Sequence, residues 1–88
     1  MVVREITING DSGLQAKFAA LFIQMASNYK SKVWIEKNER KANAKSLLGL
    51  LSLGISAGSK VSLTTEGEDE EPAMEALEEY LVSGTKAF

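Results

Sequence analysis

Two short segments hold the residues whose types and spacing suit them to chemistry. In the first, Ser12-Gly13-Leu14-Gln15-Ala16-Lys17-Phe18, a turn glycine stands just before a helix start. Free backbone N–H groups at such a start favour an anion, and Lys17 adds a positive charge. The same pattern also fits an ordinary loop-to-helix junction. In the second, Asn43-Ala44-Lys45-Ser46-Leu47-Leu48-Gly49-Leu50-Leu51-Ser52-Leu53-Gly54, Ser46 sits where a helix N-cap belongs. As a cap alone its hydroxyl contributes about 1 kcal/mol.

Composition limits what else can react. The chain has no histidine and no cysteine. Phosphoryl carriage on an imidazole, thiolate metal sites and disulfides are therefore excluded. Carboxylates remain as strong metal ligands, clustered in Glu66 to Glu79, but a charge run at a helix start is as a rule a solvated face. No nucleophile is paired with a base, which argues against an enzyme, and no cofactor is expected. Ten basic residues against twelve acidic give a net charge of −2. Without a concentrated basic face, direct nucleic-acid binding is not expected. No apolar run reaches the roughly 18 residues of a membrane span. The opening Met-Val-Val-Arg-Glu-Ile lacks a signal-peptide layout, so a cytoplasmic protein with no membrane partner is expected.

The elements that must position these segments follow from hydrophobic periodicity. With 88 residues, 44% of them apolar and 25% charged, the chain makes one small domain over residues 1–88. Val2 to Ile8 reads as a strand, with Arg4 in phase with Val2, Ile6 and Ile8. Asn9 to Gly13 is turn chemistry. Ala16 to Ser27 reads as a helix, with Ala19, Phe22, Ile23 and Ala26 toward a core. Phe18, Leu21 and Met25 form a neighbouring stripe, and that width points to a second contact surface. Lys32 to Lys37 alternates as a strand and Asn38-Glu39 turns it back into Arg40 to Asn43. Ser46 to Leu51, extending toward Leu53, is a short apolar helix, followed by a Gly- and Ser-rich loop over Gly54 to Ser59.

Lys60 to Glu66 is the last strand, with Val61, Leu63 and Thr65 on one face. Asp69 caps a final helix, with Glu70 and Glu71 at its positive end, Pro72 in its first turn and Gly84 ending it. Ala73, Leu77, Tyr80 and Leu81 form its buried stripe. This order predicts an α+β fold: a four-stranded antiparallel sheet with three helices on one face and the other face in solvent. For the leucines after Ser46 two arrangements stay open. Leu50 and Leu53 face inward while Leu47, Leu48 and Leu51 stay partly exposed as a partner surface, or the whole helix is buried.

Three separated motifs carry a family resemblance. GLQAKFAALF (Gly13 to Phe22) resembles the GLHARPAA motif of HPr, the phosphocarrier of the bacterial sugar phosphotransferase system. NAKSLLGLLSLGI (Asn43 to Ile55) resembles its regulatory serine segment, and EGEDEEPAMEAL (Glu66 to Leu77) is similar to its last strand-to-helix junction. The family's phosphorylated histidine aligns with Gln15, its arginine with Lys17 and its proline with Phe18. An amide is neither nucleophilic nor titratable, so Gln15 cannot serve the relay. Lys17 keeps the charge without the planar guanidinium fork.

Glutamine at this position is similar to the catabolite-repression HPr-like (Crh) branch. That resemblance implies an open-faced βαββαβα sandwich without histidine phosphotransfer. It implies phosphorylation of Ser46 by HPr kinase/phosphorylase and a corepressor role with catabolite control protein A, a LacI-type repressor that makes the DNA contact itself. The surface it implies comprises Lys17, Phe18, Leu21, Gln24, Lys45, Leu47, Leu48 and Leu51 on a monomer or weak homodimer. A phosphorylation-independent scaffold or decoy for phosphotransferase-system or metabolic enzymes is the alternative.

Overall fold

β-Branched residues at alternate positions build the central strands. In the computed structural model, which describes residues 1–8, 16–55 and 58–83, the elements run β1 (Val2–Thr7), α1 (Ala16–Ala26), β2 (Lys32–Lys37), β3 (Arg40–Asn43), α2 (Leu47–Ser52), β4 (Lys60–Glu66) and α3 (Glu70–Ser83). The expected turn at Asn9 to Gly13, the Gly84 helix end, the middle of the Gly54 to Ser59 loop and Gln15 lie outside the described residues. The sheet order is β1-β4-β2-β3, antiparallel at every pairing. Val33 and Ile35 of β2, and Val61, Leu63 and Thr65 of β4, turn to the helices and are buried. Their alternates Trp34, Glu36, Ser62 and Thr64 face away. The sheet is thus covered on one side only, as period-two alternation requires.

Asn38 (φ 52°) and Glu39 (φ 68°) both adopt left-handed backbone between β2 and β3. Two positive φ angles are the signature of the I′ turn, whose twist matches that of the flanking strands. The irregular phase of β1 also has a physical cause. Arg4 points to the helix side, but β1 is an edge strand, so its guanidinium reaches past the core to the Glu78 carboxylate of α3. The Met1 ammonium reaches Glu70 Oε2 at 2.9 Å, a second tie from β1 to α3.

Between sheet and helices lies one cluster that includes Ile6, Phe22, Leu50, Met74, Leu77 and Leu81. Tyr80 and Phe18 join it. Their rings stand 4.6 Å apart between centroids, and Tyr80 Oη donates to the Phe18 carbonyl at 3.1 Å. Burial raises the Tyr80 pKa above that of a free phenol.

The start of α3 departs from simple capping. Asp69 precedes the helix as expected, yet its carboxylate accepts hydrogen bonds from Ser31 Oγ, from Ser31 N at 2.9 Å and from Lys30 N at 2.8 Å. Pro72, at the third helical position, has no N–H for a cap to satisfy. The carboxylate therefore pins the segment entering β2. These bonds hold Asp69 below the usual carboxylate range, the Ser31 hydroxyl contributing most. Gly67 lies against the same segment: a Cβ there would stand 2.7 Å from Ser31 Cα.

Candidate functional site

The second segment forms a short helix with its own stop and start. Ser46 has extended backbone (φ −114°, ψ 119°), and its Oγ accepts from Gly49 N at 3.2 Å. Its carbonyl accepts the first helical bond, from Leu50 N at 3.0 Å. Ser46 is therefore an N-cap, satisfying one of the donors every helix start leaves open. Upstream, Asn43 Oδ1 accepts from Lys45 N at 2.8 Å, and the Asn43 carbonyl accepts from Ser46 N at 3.0 Å. That local turn swings the chain out of β3 and sets the cap direction. At the far end Gly54 takes φ 65° and donates its N–H to the Leu51 carbonyl. A glycine is suited to that left-handed stop.

The leucines divide between the two sides of this helix. Leu50 is fully buried and Leu53 nearly so, whereas Leu47, Leu48 and Leu51 are 43%, 80% and 40% exposed. Of the two arrangements left open by the sequence, the partly exposed one holds. A helix of under two turns has room for one inward face only. Three leucines are thus open to water on the helix that a half-buried serine caps.

The other residues expected at this surface distribute unevenly. Lys17 and Gln24 are exposed on α1, and Leu21 is half-buried against the core. Helix α1 is in contact with α2. Phe18 is a correction: it is only 4% exposed. Its ring is taken up by Tyr80, so it faces the core and presents no side chain to a partner. Lys45 is half-buried, and its Nζ donates to the Tyr29 carbonyl at 2.9 Å. Its ammonium is thereby held toward the segment between α1 and β2. Gln15, aligned with the family's histidine, lies outside the described residues.

The acidic run has structural work. Glu70 accepts from the chain's terminal ammonium and from Gly67 N, and both hold its carboxylate below its ordinary range. Glu78 holds Arg4, and Asp69 holds Ser31. Among the described residues no three carboxylates converge as metal ligands would.

An open-faced α+β sandwich whose short second helix is capped by a serine and rimmed by exposed leucines defines the class. A family model described as the PTS HPr component phosphorylation site matches residues 2–83, and the chain belongs to that HPr family. It is 51% identical over 77 residues to the HPr-like protein Crh of Halalkalibacterium halodurans, covering 88% of this chain and 92% of that protein. Among solved structures it is similar to HPr-C-His from Thermoanaerobacter tengcongensis, with TM-score 0.89 and 47% identity over 92% of this chain and 91% of that one. It is also similar to Crh of Bacillus subtilis, with TM-score 0.75 and 46% identity over 92% and 93% of the two chains. That crystal structure is described as revealing an unexpected swapping domain in a dimer.

Proposed function

We propose that this chain is a non-enzymatic regulator in carbon catabolite repression, switched by phosphorylation of Ser46. HPr kinase/phosphorylase transfers the γ-phosphoryl of ATP to Ser46 Oγ, and the phosphoprotein serves catabolite control protein A as corepressor. Histidine phosphotransfer has no place in this reading, because Gln15 offers only an amide. The observation that carries the proposal is the cap itself: a half-buried serine at the start of a helix that exposes three leucines. The likeness to the Crh proteins supports the same assignment.

Phosphorylation adds about −1.5 to −2 charges at this position. Placement at a helix start favours negative charge by about 0.3 to 1 kcal/mol, so the fold accepts the group without reshaping. A partner that offers an arginine and an apolar groove then reads both the dianion and Leu47, Leu48 and Leu51. Each charge-assisted hydrogen bond contributes about 1.5 to 3 kcal/mol, and two separate modified from unmodified protein by about 10² to 10⁴ in affinity. Lys17, Leu21 and Gln24 of α1 extend this surface. Phe18 is left out of it, being buried. The reading places the protein in the cytoplasm, as a monomer or weak homodimer. The latter accords with the dimers described for Crh.

The test is incubation with HPr kinase and ATP, then peptide mass spectrometry and binding to catabolite control protein A. Phosphate on Ser46, with tight binding of the phosphoprotein alone, is expected. Phosphate on another residue, or none, overturns the assignment. The exposed leucines favour one other reading, since they are presented without any modification. Equal binding of unmodified, Ser46→Ala and phosphorylated protein to a phosphotransferase-system or metabolic enzyme would establish that scaffold role instead.

A further inference from the structure

The end of the sheet where β2 begins carries a feature the Ser46 hydroxyl does not use. By register, Val3, Thr64, Trp34 and Asn43 form one row across all four strands. Beside that row, where β3 ends and the chain turns toward α2, a cavity of about 310 Å³ opens against the start of β2. Lys30, Lys32 and Lys45 line it together with Trp34 and Asn43, and the buried Ser31 and Val33 carry its lining round to the helix side. Lys30 and Lys32 are exposed, and neither forms an ion pair with a described residue. Asn43 uses Oδ1 to accept from Lys45 N, which leaves its amide hydrogens to donate elsewhere. Asp69 is committed to Ser31 and Lys30 N–H, and Glu66 opposes Lys32 in the ladder.

We propose that this cavity binds a nucleoside monophosphate, its phosphate on Lys30 and Lys32 and its base against the Trp34 indole. Ammonium groups are compact, mobile charges suited to phosphate oxygens. The indole offers a flat π surface of the kind on which bases stack. Lys41 Nζ lies 5.0 Å from the ring centroid. It opposes Glu36, in the row on the other side of Trp34 from Lys32. Size narrows the choice. The volume lies at the low end of the roughly 300 to 1,000 Å³ of small-molecule sites, suiting a mononucleotide. A longer polyanion crossing the sheet, whether a nucleic-acid strand or an acidic peptide, would meet Glu5 and Glu36 in the next row, against the single cation Lys41. Inorganic phosphate alone would leave the indole unused.

Trp34 is the only tryptophan, so its fluorescence reports on the site directly. The unmodified full chain is titrated with adenosine and guanosine 5′-monophosphates, with adenosine, and with inorganic phosphate, in parallel with shifts of the Trp34 indole N–H in two-dimensional NMR. Saturable change with the monophosphates is expected, weaker with adenosine or phosphate alone. Lys30→Gln and Lys32→Gln should each weaken binding about 10- to 100-fold, the loss of one charge-assisted hydrogen bond. Lys60→Gln, at the opposite end of β4, should not. The proposal is overturned if neither monophosphate saturates by about 10 mM, a concentration corresponding to negligible affinity. It is equally overturned if phosphate or adenosine alone binds as tightly, or if the Lys30 and Lys32 variants bind like the parent chain.

Discussion

Leu48 and Leu50 stand two residues apart on α2 and belong to different environments, which makes them a paired test of how this helix divides its work. Leu50 is fully buried in the core and Leu48 is 80% exposed. Truncating a buried leucine to alanine removes transfer free energy and leaves a cavity, together about 2 to 5 kcal/mol. Leu50→Ala should lose that amount, a large share of the roughly 5 to 15 kcal/mol that holds a domain together. Leu48→Ala removes almost no buried surface and should stay within about 0.5 kcal/mol of the parent chain. Urea unfolding followed by circular dichroism measures both, with unchanged m-values confirming a common native fold. On the proposed function the order reverses in a binding assay. Covering an exposed leucine is worth about 1.5 to 3 kcal/mol, so Leu48→Ala should weaken partner binding by the phosphoprotein about 10- to 100-fold. Equal destabilisation by the two variants would refute the two-sided helix. Unaltered partner affinity in phosphorylated Leu48→Ala would refute the leucine rim as the recognition surface.

Other expectations concern the contacts that hold the site's scaffold. Gly67→Ala should destabilise by about 1 to 3 kcal/mol, since its φ of 155° disfavours a side chain and the new Cβ would meet the Ser31 backbone at 2.7 Å; an unchanged melting temperature would contradict that packing. Tyr80→Phe keeps the ring contact with Phe18 but removes the bond to its carbonyl, and should lose about 1 kcal/mol in chemical denaturation. Asp69 has a folded pKa below its unfolded value because Ser31 Oγ and the Lys30 and Ser31 N–H groups favour the carboxylate. Its contribution is therefore complete above the unfolded pKa of about 3.9 and is lost as pH falls through the lower folded value. Asp69→Asn should flatten the stability profile in that acid range, and an unchanged slope in a pH series of urea melts would contradict the contact.

What the sequence made legible was local or half-buried. Val61, Leu63 and Thr65 announce β4 because a one-sided sheet forces alternation. Asn38-Glu39 announces its turn although only the first residue favours left-handed backbone, because the strands on both sides leave no room for a longer loop. Ser46 is legible as a cap because capping needs only three further residues. Phe18 was not legible as core. Periodicity finds two apolar stripes on α1 but cannot say which meets Tyr80, 62 positions later. Arg4 and Asp69 are similar cases: each breaks or bends a local rule, and each is explained by a partner far along the chain, Glu78 and Ser31. Long-range pairing is what a single sequence hides.

On the proposed function, stability and recognition are separable because they draw on different residues of the same short element. The core is closed mainly by α1, α3 and the inner sheet face, with Leu50 and Leu53 the contribution from the α2 segment. Ser46 spends one lone-pair direction on Gly49 N, and its hydroxyl lies only half within the protein. A phosphoryl group on Oγ would extend outward from a helix start already suited to negative charge, over leucines the core does not need. On the proposed function the modification changes what the surface offers without changing what the fold requires. The scaffold itself is held elsewhere: Glu70 ties α3 to Met1, Glu78 ties it to Arg4, and Asp69 ties its start to Ser31.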